Sequence, residues 1–230
     1  MKLAPVASPV VQLSADLGSS ATKLFYRVQS DQCAPIWMGA EVADGLSSVV
    51  LSGVSTAGRP QDMAWLELDE DVVMVGEAAK AFLEMNSLSA KKYEKAVYKL
   101  VAALGVIADL EQLPSRYQAV VWLALPLGEF STQSVIVTRL RELCQKGFTC
   151  RGKFQQVELT FKCYPEGFGL YLIRKQHLSR IGQEIEQRRK TVMMMGHRNL
   201  SLLAFDNGTL NMNGTNSDGP GFWPLFEKGA

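Results

Sequence analysis

The chain reads as an α/β protein built in two parts, and three observations predict this. Strand-like and helix-like segments alternate along its length. A 3.6-residue apolar repeat over Tyr93–Leu110 is followed by a continuous apolar run, Gln118–Leu125, the order expected of a helix feeding a buried strand. A strand, a tight glycine turn and a second strand occur twice, around Gly18 and around Gly196. A supersecondary unit duplicated in this way predicts two related subdomains facing each other across a cleft.

The first unit has a β-prone run at Val10–Leu13, a polar turn through Asp16-Leu17-Gly18-Ser19-Ser20, and a second run at Lys23–Val28, a hairpin signature. A third strand is predicted at Pro35–Met38. Ser47–Arg59, rich in Ser, Gly and Thr, reads as loop. Ala64–Leu68 and Val72–Val75 read as strands flanking the acidic turn Asp69-Glu70-Asp71, and Gly76–Glu84 as a short helix. In Tyr93–Leu110, the residues Val97, Leu100, Val101, Leu104 and Ile107 fall on one helical face, and Pro114 stops the helix. Gln118–Leu125, rich in Val and Leu and bounded by Pro126, fits a strand buried on both faces.

Ser134–Lys146 reads as an amphipathic helix ending at Gly147. Gln155–Cys163 alternates with the period of a half-buried strand. Gln176–Lys190 is polar and helix-like, with Glu184 and Arg188 spaced as an i,i+4 pair. Thr191–Met195 and Leu200–Phe205 flank the second glycine turn, and Asn207-Gly208 is a further hairpin signal. Asn211–Gly221 reads as loop. The apolar residues after it, Phe222, Trp223, Leu225 and Phe226, give the chain an ending that reads as cut rather than capped.

Bulk properties narrow the classes. The 230 residues are 47% apolar and 20% charged, an ordinary globular composition. A net charge of +1 provides no field to draw in nucleic acid or anionic lipid, so neither direct nucleic-acid binding nor membrane association is expected. The four cysteines lack CxxC spacing and only two histidines accompany them, which predicts free thiols in a reducing cytoplasm rather than a zinc site. No signal peptide is legible, and no apolar stretch reaches the ~20 residues of a membrane span.

Chemistry concentrates at the two glycine turns. Glycine lets backbone amides approach and converge on an anion. Around the first turn, Ser19, Ser20 and Thr22 add hydroxyls, Lys23 adds a point charge, and Asp16 could order the water shell of Mg2+. Taken alone, this DxGxxxxK pattern describes an ordinary hairpin turn more often than an anion site.

The ordered set says more. Asp16–Lys23 resembles the first phosphate loop of the actin/Hsp70/sugar-kinase superfamily, and Met194–Gly208 resembles the second. Between them lie Leu125-Pro126-Leu127 with Glu129, and Tyr164-Pro165-Glu166-Gly167, in the order of the ParM/StbA-like branch of bacterial actin-like ATPases. The resemblance runs from about Val10 to Gly208. It implies an actin-like (ribonuclease H-like) domain I over 1–190, with a small insert at about 39–90, and the start of domain II over 191–230.

It also implies ATP or GTP with Mg2+ as cofactors, with Asp16 toward the metal. Gly18, Ser19, Ser20, Thr22, Lys23, Gly196, His197, Arg198 and Asn199 would face the phosphates. Glu166 matches the residue that positions the attacking water, although a turn carboxylate after a proline is an equally good description. Self-association into filaments and a DNA-bound adaptor are the partners implied. Two departures bear on catalysis. Met194 stands where the family usually has Asp, and its thioether is a poor partner for Mg2+. The adenosine-binding half of the second domain is also missing. A non-catalytic assembly module on the same scaffold is therefore the alternative, while a sugar kinase lacks its sugar-site signature.

Overall fold

The computed structural model describes residues 8–29, 32–54, 57–69, 71–85, 92–184, 189–196 and 199–222. Contacts divide the chain into two compact units, Met1–Leu123 with Thr132–Lys162, and Ala124–Ser131 with Cys163–Ala230. The second unit thus takes in Ala124–Ser131 as well as the chain from Cys163 onward.

The strands are β1 (Val10–Leu17), β2 (Ala21–Val28), β3 (Ala34–Gly39), β4 (Val42–Leu46), β5 (Ala64–Leu68) and β6 (Asp71–Val75). Helix α1 (Lys92–Leu110), β7 (Arg116–Leu125), α2 (Gln133–Lys146), β8 (Phe148–Cys150) and β9 (Lys153–Pro165) follow. These strands form one sheet in the order β3-β2-β1-β7-β9-β8-β5-β6-β4. The strands β4 and β8 carry no sequence signal strong enough to predict them; each is short, and β4 contains Asp44 and Gly45. The stretch read as loop from Ser47 holds a 3-10 turn at Ser48–Gly53, and Gly76–Met85 is 3-10 rather than α-helix.

Alternation in β1 and β2 sorts their residues by face. Val11, Leu13, Ala15, Leu24 and Tyr26 are buried, whereas Ser14, Lys23 and Phe25 are exposed. Helix α1 covers this core, and its burial exceeds the predicted stripe: Ala102, Ala103 and Val106 are as inaccessible as Val97, Leu100, Val101, Leu104 and Ile107. Gly105 is what allows α1 to approach β8, since a Cβ there would sit 2.4 Å from Cys150 Cβ and Sγ. Strand β7 corrects the reading of a strand buried on both faces: Tyr117, Ala119, Val121, Leu123 and Leu125 are buried, while the alternate residues Gln118, Val120, Trp122 and Ala124 are only half-buried.

Polar anchors fix the remaining elements of this unit. The Tyr26 hydroxyl donates to Glu111 Oε1 at 2.6 Å, which ties β2 to the end of α1. Arg151, in the β8–β9 turn, donates to Asp109 Oδ2 at 3.2 Å and to Met63 O at 2.8 Å, and its guanidinium lies over Trp65, 5.4 Å from the ring centroid. Lys153 also donates to Asp109.

The second unit contains α3 (Phe168–Arg180), β10 (Lys190–Met195), β11 (Asn199–Asp206), β12 (Thr209–Leu210) and β13 (Asn216–Pro220). Here the helix reading needs correction: α3 begins before the polar run at Gln176 and ends well short of Lys190. It stops because Gly182 has φ +70, with Gly182 N–H and Gln183 N–H returned to Ser179 O and Leu178 O. Arg188, the expected partner of Glu184, lies outside the described residues. Tyr171, Leu178, Leu203 and Phe205 form the core, with the Tyr171 and Phe205 rings stacked at 4.0 Å. The Asn207-Gly208 turn has φ +49 and +81, the conformation its sequence predicts. The tail read as loop contributes β13, which pairs with β11.

Candidate functional site

The β1–β2 register sets Asp16 opposite Lys23 and Leu17 opposite Thr22. Lys23 Nζ lies 3.4 Å from Asp16 Oδ2, and both side chains are half-exposed. One face of the hairpin thus offers a carboxylate and an ammonium side by side, and the exposed Ser19 and Ser20 form the turn between their strands. Gly18 is needed for closure of the turn itself, because a Cβ there would sit 2.9 Å from Ala21 O.

Thr22 does not join this group. It is fully buried on the opposite face from Asp16 and Lys23, and its hydroxyl has no hydrogen-bond partner. The sequence places it among the phosphate contacts, but strand alternation turns it inward.

A residue that the sequence reading did not single out lies nearby. Lys99 of α1 is only 7% exposed. Desolvation pushes its ammonium below the ordinary lysine range, while the fields of Glu41 and Asp16 act in the opposite direction. Glu41 Oε2 is itself buried without a hydrogen-bond partner. The available signal was a lysine set directly against the apolar stripe Leu100-Val101 of a core helix, where a surface residue is not expected.

In the second unit, the Glu166 N–H donates to Leu125 O at 2.9 Å, which fixes the Pro165-Glu166-Gly167 turn against Leu125-Pro126-Leu127. Gly167 has φ +86, and a Cβ on it would meet Met194 Sδ at 3.0 Å, Leu203 Cδ1 at 3.2 Å and Val192 Cγ1 at 3.3 Å. The turn carrying Glu166 therefore rests on β10 at Met194. Ser201 is the cross-strand partner of Met194. At the second glycine turn, Gly196 O accepts from Phe222 N–H at 3.0 Å. His197 and Arg198 lie outside the described residues, as does the side chain of Asn199, which begins β11.

The donor set fits magnesium only in part. Asp16 supplies one half-exposed carboxylate, and no cluster of three or more His, Cys, Asp or Glu side chains that could hold a metal occurs among the described residues. A cation held by one carboxylate keeps most of its coordination from water and phosphate, which suits Mg2+. The four cysteines are free, and burial pushes Cys144 and Cys150 up to about 12, so neither offers a thiolate. No helix among the described residues is long and apolar enough to cross a membrane.

Comparison with solved structures shows that this α/β frame is an actin-like fold. The filament structure of AlfA from the B. subtilis plasmid pLS32 matches with a TM-score of 0.62 at 17% identity, covering 93% of this chain and 73% of that one. The archaeal actin homologue Ta0583 matches with a TM-score of 0.62 at 19% identity, covering 95% and 64%. Within this class the likeness extends to ParM: a 15-stranded ParM filament from Clostridium botulinum gives a TM-score of 0.64 at 14% identity, covering 94% of this chain and 66% of that one. The chain has a ParM-like actin-like fold and spans about two thirds of the length of these structures. No protein-family model matches it, and neither does any curated protein sequence.

Proposed function

We propose that this chain is a cytoplasmic, nucleotide-binding actin-like protein of the plasmid-segregation type, which self-associates and works with a DNA-bound adaptor. The observation that carries the reading is the Asp16–Lys23 hairpin, a paired carboxylate and ammonium flanking a glycine turn, on this particular fold. Support comes from the neighbours, which include AlfA as a filament bound to AMPPNP and a Bacillus thuringiensis ParM with ADP.

In this reading Lys23 and the exposed Ser19 and Ser20 bind phosphate oxygens, together with the backbone amides of the Gly18 turn. Asp16 would hold Mg2+ through the water shell of the ion, and Mg2+, when bound, would neutralise phosphate charge. Glu166 accepts a hydrogen bond from the attacking water and orients it. Met194 leaves that water without a second carboxylate, so hydrolysis is slow relative to binding.

Isothermal titration of Mg·ATP and Mg·GTP into the 230-residue chain, and into Asp16→Ala, tests this. Binding to the natural chain, weakened at least about tenfold in the variant (~1.4 kcal/mol), is expected. Equal heats from both proteins, or none from the natural chain, would overturn the reading.

A further inference from the structure

Away from both hairpins, unit 1 contains a cavity of about 470 Å3, within the size range of small-molecule sites. It opens where β1 and β7 begin, because Gln118 N–H donates to Pro9 O at 3.0 Å and so sets the two strand starts side by side. The Gly18 turn lies beyond the other end of the eight-residue β1, roughly 26 Å away at ~3.3 Å per residue. The cavity is therefore distinct from the hairpin site.

Its lining is amphipathic. Val157 and Leu159 of β9 supply an apolar wall, and Arg116 of β7 and Arg141 of α2 supply two cations. Among the described residues neither guanidinium holds a hydrogen bond, an ion pair or a ring contact. Glu158, the one carboxylate in the lining, accepts from Gln118 Nε2 at 3.1 Å and forms no ion pair with either arginine, so the two cations exceed the one anion of the lining. Two unpaired forks beside an apolar wall are the chemistry that recognises a dianionic head carried on an apolar body.

We propose that this cavity binds a small organic phosphate monoester, its phosphate held by Arg116 and Arg141 and its apolar part resting on Val157 and Leu159. A phosphate monoester places both charges on one head, which a single carboxylate cannot do.

The test is an amide-detected NMR titration of the full chain with phenyl phosphate, benzoate and inorganic phosphate, following the side-chain amides of Gln118 and Gln145, which line the cavity. Phenyl phosphate is expected to shift both amides with a Kd on the order of 1 mM or tighter. Benzoate and inorganic phosphate should bind several-fold more weakly. Arg116→Gln and Arg141→Gln should each weaken phenyl phosphate about tenfold, and Lys23→Ala should leave it unchanged. Both arginines are exposed and unbonded, so melting temperatures should not move; if one variant fails to fold, the other carries the test. Unchanged binding in the arginine variants, loss of binding in Lys23→Ala, benzoate binding as tightly as phenyl phosphate, or no shift at all would each overturn the proposal. The Asp16→Ala titration with nucleotide reports on the hairpin alone, so the two readings fail separately.

Discussion

Asp109 and Lys99 are both charged residues of α1, yet they should affect stability in opposite directions. Burial alone would raise the Asp109 carboxyl, but hydrogen bonds from Lys153 and Arg151 more than offset this and hold it below the usual range. A carboxyl depressed by folding adds stability above its unfolded pKa, near ~3.9, and that contribution is lost as pH falls through the folded value. Asp109→Asn removes the carboxylate facing the nearly inaccessible Arg151, which keeps its bond to Met63 O and its place over Trp65, so a loss of about 2 kcal/mol is expected in urea melts, with the acid limb shallower than in the natural chain. Lys99 is the reverse case: desolvation lowers its folded pKa. Between the folded and unfolded values the unfolded chain binds more protons, so stability rises with pH there. Lys99→Met should remove that alkaline gain and stabilise the fold by about 1 kcal/mol or more at neutral pH. A melting temperature that falls in Lys99→Met would mean that the Glu41 and Asp16 fields outweigh the desolvation.

Packing between elements decides what sequence reading could and could not recover. The β1–β2 hairpin, α1, β5, β6 and β10–β11 were legible because each carries a periodic apolar pattern or a turn dipeptide long enough to fix its own identity. By contrast, α3 was misplaced because its apolar residues Leu170, Leu172 and Ile173 are exposed, so its sequence lacks a clean stripe, while the polar run after it imitates a surface helix. Strand β13 has the sequence Asn-Ser-Asp-Gly-Pro and exists only because β11 offers it an edge. In the candidate site, Asp16 and Lys23 are singled out by the sequence, but their cross-strand pairing is set by the strand register, and the inward turn of Thr22 and the burial of Lys99 depend on which face α1 covers. Gly105 shows the same dependence on a neighbour. Alanine there would raise helix propensity by ~1 kcal/mol, but its Cβ would strike Cys150. Overpacking of this kind costs about 1–3 kcal/mol, so Gly105→Ala should lower the melting temperature despite the better helix former. A higher melting temperature would show that β8 can move away at little cost.

For the molecule as a whole, the proposed function makes assembly and hydrolysis separable, with Met194 as the residue expected to separate them. A net charge of +1 leaves little self-repulsion to oppose association, and the fold is shared with proteins solved as filaments. In the proposed function, phosphate contacts at Gly18, Ser19, Ser20 and Lys23 favour an associated state without bond cleavage, whereas disassembly linked to hydrolysis needs an oriented water. Gly167, the residue after Glu166, packs against Met194, so a carboxylate at 194 would lie against the turn that carries Glu166. In high-speed pelleting with Mg·ATP, the natural chain is expected to sediment and Asp16→Ala to remain in the supernatant. Phosphate release from the natural chain should be slow, and Met194→Asp should accelerate it by about tenfold or more, equivalent to ~1.4 kcal/mol off the barrier. The same variant should pellet at first and then redissolve as nucleotide is consumed. Release that is equally slow in Met194→Asp would place the limiting defect elsewhere in the site, and pelleting that persists in Asp16→Ala would uncouple assembly from the first hairpin altogether.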